Sequence, residues 1–167
     1  MFGRPRRTAT PPPGVELGRG ERVLASDVTT DGAPIVATNH RVLLPTPDGL
    51  ASISWANVDR ATFDRESGLL TVIETAMAGG RPRRHRLRVD GALTLLDVIR
   101  EQVKASVILT RHVPIADGKG ARISGRRRPD TGALTWNVTV DVGLDVDDPD
   151  VRRLIDAALA AVRAELP

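Results

Sequence analysis

Cysteine is absent from the chain, which excludes disulfides, thiolate metal sites and cysteine nucleophiles and fits a reducing compartment. Aromatic side chains are almost absent too: there is no Tyr, and Phe2, Trp55, Phe63 and Trp136 are the whole set. The last three fall at expected core positions, so no stacking platform for single-stranded nucleic acid remains. No helix-turn-helix or zinc-finger spacing occurs, and sequence-specific nucleic-acid binding is not expected. No stretch approaches the ~20 apolar residues of a membrane span, and the basic start "MFGRPRRTATPPPGVELG" leads into no apolar run of the secretory kind. The expectation is a soluble, cytoplasmic protein without a transmembrane segment. Lysine is scarce, since 22 of the 24 basic side chains are Arg, a skew that suits a GC-rich bacterial genome better than any one function.

Signatures of chemistry are equally thin. His40, His85 and His112 are too far apart to suggest a metal set, and none belongs to an H-E-x-x-H pattern. "LDVDDPD" (144–150) carries Asp145, Asp147, Asp148 and Asp150, but an EF-hand loop starting at Asp145 would need Gly and Glu where Asp150 and Asp156 stand. Helix capping explains these acids instead. The serines form no G-x-S-x-G elbow, and "DGKGAR" lacks the length and hydroxyl of a phosphate loop. The reading is non-enzymatic, with no catalytic residues, no cofactor and no metal.

What is present is an architecture. A chain of 167 residues can bury roughly 70% of its extended surface and hold a core without staples. Residues 1–20, with "RPRR", "TPPPG" and "GRG", are too polar to offset the entropy of ordering and are expected to be a disordered tail. Short strands are then expected at "ERVLASDVT", "IVAT", "RVLL", "ASISW", "VDRATFD", "SGLLTVIET" and "RHRLRV", separated by turn residues such as Asp31-Gly32, with Phe63, Leu70 and Val72 as inward anchors. In the seventh, His85, Leu87 and Val89 point one way and Arg84, Arg86 and Arg88 the other, the period of a half-buried strand.

The period then changes to that of a helix. Thr94, with Asp97 three residues on, predicts an N-cap, and Leu95, Leu96, Ile99, Val103 and Val107 predict an amphipathic helix to about residue 108. After a linker "TRHVPIADGKG", "ARISGRRR" and "ALTWNVTVDV" flank the turn "PDTG" as a hairpin with Leu134, Trp136, Val138 and Val140 on one face. Asp148 and Pro149 open a last helix with an apolar stripe through Val151, Leu154, Ile155, Ala158, Leu159, Val162 and Leu166. A lone hairpin is marginal in water, so the stripe and the Trp136 face should cover each other or dock on the first unit.

The order "GERVLAS", "IVATNHRVLL", "ISWANVDRATFD" resembles the bacterial PH-like domains, in which a T-N-x-R corner and an apolar strand precede an aromatic-led strand. Thr38, Asn39, Arg41, Trp55 and Val58 carry the likeness, over residues 20 to about 108. The whole chain looks like actinobacterial proteins that join such a domain to a strand-rich C-terminal piece. The resemblance implies an α+β fold: a PH-like seven-stranded antiparallel barrel or sandwich capped by a helix (21–110), followed by a β-hairpin and C-terminal helix (111–167). It also implies a non-enzymatic platform for binding or scaffolding, most often of another protein. The basic first hairpin of phosphoinositide-binding PH domains is missing, because "SDVTTDGAP" holds Asp27 and Asp31 and no Lys or Arg.

Charge is unevenly laid out, with basic stretches over 81–104 and 105–140 between acidic ones. Arg84, Arg86 and Arg88 fit either a solvated face paired with acids on neighbouring strands or a contact with an anionic surface. Arg126, Arg127 and Arg128 fit either a solubilising turn or an extension of that contact. The alternative to a protein partner is therefore an acidic lipid surface or nonspecific nucleic acid, with salt-dependent binding.

Overall fold

The computed structural model describes residues 10–76 and 81–167. Seven short strands come first, as the period-two pattern demands: β1 (Val23–Val28), β2 (Pro34–Thr38), β3 (Arg41–Thr46), β4 (Gly49–Ser54), β5 (Val58–Asp64), β6 (Leu69–Glu74) and β7 (Arg84–Arg88). They form an antiparallel sheet β1-β2-β3-β4 and a second, β5-β6-β7. The expected barrel does not close. Between β4 and β5 the chain makes a 3-10 turn at Trp55–Asn57, which interrupts the ladder, so the two sheets share a core but, among the described residues, are bridged by backbone at one corner. There Thr29 bridges Val89 and the Thr30 amide donates to the Arg88 carbonyl at 2.9 Å.

Helix α1 (Leu93–Ser106) packs against β5 and β1, burying Leu95, Leu96 and Ile99 among Ile35, Val42, Leu44, Trp55, Leu70 and Val72. The helix begins before Thr94, and no side chain caps it. The turn at Gly91, whose φ of +72° favours glycine, launches it instead. Residues 10–20 form no helix or strand, yet Val15 is buried against Val23, Val36 and Leu43, with Leu17 beside it. Residues 1–9 of the expected tail lie outside the described residues.

Past α1 the structure departs from the expected helix end and linker. Residues from Val107 onward are a strand, β8 (Val107–Ala116), followed by β9 (Lys119–Arg127) and β10 (Leu134–Val140). The hairpin is thus a three-stranded sheet, β10-β9-β8. Val107, expected as the last residue of the helical stripe, adopts extended backbone. Asp117 and Gly118, both at positive φ, form the two-residue corner between β8 and β9, as tight hairpins require.

Helix α2 (Pro149–Arg163) lies over β8 and β9. Asp148 caps it by accepting from the Asp150 amide at 2.8 Å, as its sequence predicts. Ala158 and Val162 close a small cluster around Ile123, edged by Trp136 and Leu159, whereas Leu154, expected on the stripe, faces solvent.

Candidate functional site

Strand β7 is the outer strand of the second sheet. Leu87 is buried and His85 half-buried, while Arg84, Arg86 and Arg88 are exposed, so the alternation holds residue by residue. Across the ladder the three arginines stand opposite Ile73, Thr71 and Leu69 of β6, and beyond these come Arg60, Thr62 and Asp64 of β5. None of the opposing β6 residues is acidic. Among the described residues Arg84, Arg86 and Arg88 have no ion-pair partner. Arg88 makes a long contact to the Ser67 carbonyl, 3.4 Å. The carboxylate of Asp64, at the far corner of the face, is held by Ser67 Oγ and the Glu66 amide, and these bonds lower its pKa.

The spacing decides what such a row can do. Alternate residues of a strand lie about 7 Å apart, inside the Debye length of about 8 Å at physiological ionic strength. Neighbouring guanidinium charges therefore repel by about 0.6 kcal/mol even in water. Cross-strand pairing with acids would remove that cost, and the register supplies none. Arg60, two strands from Arg84 in the same row, adds to the field.

The second arginine cluster does not join the first. Consecutive strand residues alternate sides, so Arg126, Arg127 and Arg128 cannot share a face. Arg126 turns inward and is only 6% exposed. One guanidinium nitrogen donates to the Val58 carbonyl and another lies 3.7 Å from Asp59 Oδ1, while Nε has no partner. Burial lowers its pKa, against the pull of Asp59. Arg128 binds Asp130 through two bonds of 3.0 and 2.7 Å, which bring the Asp130 carboxyl down to about 2. Only Arg127 stays exposed, reaching the Gly132 carbonyl at 3.3 Å. Arg126 is thereby corrected from a surface contact to a pin between β9 and β5. The sequence signal for Arg128 was the following "PD" turn; nothing in spacing alone marked Arg126.

Four of the five residues that carry the PH-like resemblance, Thr38, Asn39, Arg41 and Trp55, are spent on the corner between β2 and β3. Glu21, which pattern reading left unmarked, is its hub. Its carboxylate accepts from Arg41 Nε at 2.8 Å, Thr38 Oγ1 at 2.8 Å and the Gly18 amide at 2.7 Å. Burial alone would push its pKa up, but the bonds from Arg41, the Gly18 amide and Thr38 outweigh that and hold it at about 2. Asn39 accepts from the Arg22 amide at 2.7 Å and donates to the Gly20 carbonyl at 3.1 Å. Trp55 Nε1 donates to the Thr38 carbonyl at 2.8 Å.

A polar cleft of about 400 Å³ beside this corner is lined by Arg19, His40, Asn57, Arg128 and Asp130 among others, but Arg41 and Arg128 on its wall are already paired with Glu21 and Asp130. In the acidic run, Asp145 accepts from the Asp147 amide at 2.9 Å and Asp148 caps α2. Comparison of the chain with protein-family models, with curated proteins and with solved structures finds no match.

Proposed function

We propose that the chain is a non-enzymatic, PH-like binding or scaffolding module that docks an acidic protein surface on the outer face of β5-β6-β7. Seven strands arranged four and three, with a helix packed on β5 and β1, support the PH-like part of the reading. The observation that carries the docking part is the row Arg84, Arg86 and Arg88, exposed and opposite only uncharged residues, with Arg60 beyond it. A face with four arginines and one acid, Asp64, at its corner steers an acidic partner and gives a strong salt dependence. It presents no aromatic side chain to stack on bases.

Retention on immobilised poly-glutamate across a salt series tests the reading, with anionic vesicles and duplex DNA as parallel probes. The wild type should be retained at low salt, and the Arg84→Ser, Arg86→Ser, Arg88→Ser triple variant should elute far earlier. Because the three side chains are exposed, the triple variant should melt within about 0.5 kcal/mol of wild type per site. Equal retention of wild type and triple variant would refute the face. Binding to vesicles or DNA in preference to poly-glutamate would move the partner to a lipid or nucleic-acid surface.

A further inference from the structure

The strand β10 is the outer strand of its sheet, and its sequence, Leu134-Thr-Trp-Asn-Val-Thr-Val140, contains no charge and no proline. Sheet edges left in this state are templates for another strand, and proteins normally guard them with charge, proline or a bulge. Other edges here are guarded in that way: β7 by its arginines, β8 by Arg111, Pro114 and two register shifts, β5 by Asp59, Arg60 and a register shift, and β1 by Asp27 and a register shift. The edge strand β4 is uncharged, but it opens on Gly49 at positive φ and is crossed by the Arg41 side chain bound to Ser52 Oγ.

The ladder shows which groups of β10 are free. Arg128 donates to Ala133 and Asp141 to Gly120, and in the observed register this places the hydrogen-bonded pairs with β9 at Thr135, Asn137 and Thr139. The amides and carbonyls of Leu134, Trp136, Val138 and Val140 therefore point away from β9. Among the described residues no turn, loop or cap bond reaches them. The C-terminal segment leaves this edge uncovered as well: α2 lies over β8 and β9, and the chain leaving β10 brings Gly143 against the Lys119 side chain at the opposite turn.

We infer that β10 pairs with β10 of a second copy of this chain, antiparallel about a two-fold axis at Asn137, joining the two three-stranded sheets into one. Two features of the strand fit a copy of itself. The pattern is palindromic about Asn137 in residue class, with Thr135 matching Thr139, Trp136 matching Val138, and Leu134 matching Val140. The outward-facing residues pair Leu134 with Val140 and Trp136 with Val138 of the second copy, so each exchanges both of its backbone bonds. Asn137 then meets Asn137 of the second copy in a non-hydrogen-bonded pair, where side chains approach most closely. A two-fold edge pairing of this kind is self-limiting and builds a dimer rather than a fibre. The interface is distinct from the arginine face.

The absence of cysteine makes a clean register test. Across the proposed axis the two Asn137 Cα atoms lie about 4.5 Å apart, within the span of a disulfide, whereas the two Thr139 Cα atoms lie about 13 Å apart. Sedimentation of wild type should give about twice the 17.9 kDa chain mass. Under mild oxidation Asn137→Cys should cross-link to a covalent dimer, Thr139→Cys alone should not, and an equimolar mixture of Thr135→Cys with Thr139→Cys should. A wild type of single-chain mass at every concentration overturns the proposal. So does a dimer in which folded Asn137→Cys fails to cross-link, or in which Thr139→Cys cross-links as well as Asn137→Cys. Should Asn137→Cys not fold, wild-type hydrogen exchange decides: the Trp136 and Val138 amides must lose protection on dilution, and dilution-independent exchange refutes the pairing.

Discussion

Trp55 and Trp136 stand in two regions built to different depths. Trp55 is 0% exposed, its indole N–H bonded, in the core shared by the first two sheets and α1. Trp136 is half-buried at the rim of the cluster between β8-β10 and α2. It lies flat over Gly125, where an added Cβ would stand 3.1 Å from the ring, and Arg163 covers it 5.8 Å from the ring centroid. The buried charges differ in the same sense. Glu21 in the first region has three donors and is held well below its usual pKa. Arg126, reaching from β9 of the second region to β5 of the first, has one carbonyl, a carboxylate at 3.7 Å and an unpartnered Nε. A polar group bonded within one region is held in fixed geometry; one reaching across to the other is left half-satisfied.

The largest effect should come from the deep region. Trp55→Ala removes a fully enclosed ring and orphans the Thr38 carbonyl, and should cost about 4 kcal/mol or more, a large share of the stability of an ordinary domain. Urea unfolding followed by circular dichroism reads this directly. A loss below about 2 kcal/mol would mean that the first core is no better packed than the second.

Glu21→Gln comes next, and it carries a pH signature. The Glu21 pKa is 4.5 in an unfolded chain and about 2 in the fold, so the ionised form stabilises the native state above pH 4.5. That contribution is lost as the pH falls from 4.5 toward 2. At about 1.4 kcal/mol per unit it amounts to about 3 kcal/mol. The variant should lose about that much at neutral pH and show a flatter stability profile than wild type through the acid window. Because Asp130 and Asp141 also titrate low, the readout is the difference between the two profiles. Parallel profiles would show that Glu21 does not anchor the corner.

Legibility in the sequence followed the same divide. β5 and β7 were readable because each buries one face, which imposes a period of two, whereas β2 and β3, buried on both faces, were readable as short apolar runs between turn residues. The alternation of β7 survived intact for this reason. β8 was hidden because Val103 and Val107 continue the helical spacing of Leu95 and Ile99 while Val107, Leu109 and Val113 also alternate, and no Gly or Pro separates α1 from β8. The Asp117-Gly118 corner was the available signal. Arg126 was illegible on different grounds: which residue of an arginine run turns inward is decided by the docking of β9 on β5, a tertiary contact with no local period. The hub at Glu21 joins residues some twenty positions apart in sequence, so no spacing rule marked it.

Trp136→Ala should have the smallest effect of the three, and the most local one. Full burial of the ring would imply a loss like that of Trp55, but Trp136 keeps part of its surface exposed and lies under the Arg163 guanidinium. The expected cost is about 1.5 to 2 kcal/mol, partly from lost apolar burial and partly from the cation–π contact. Gly125 offers no side chain to fill the space, so the loss should not be repaired by repacking. Hydrogen exchange should show protection falling in β8, β9, β10 and α2 while β1 to β7 and α1 keep theirs, since a thin cluster can open without the deep one. If protection falls everywhere together, the two regions unfold as one cooperative unit, and the half-satisfied Arg126 pin binds them more tightly than its geometry implies.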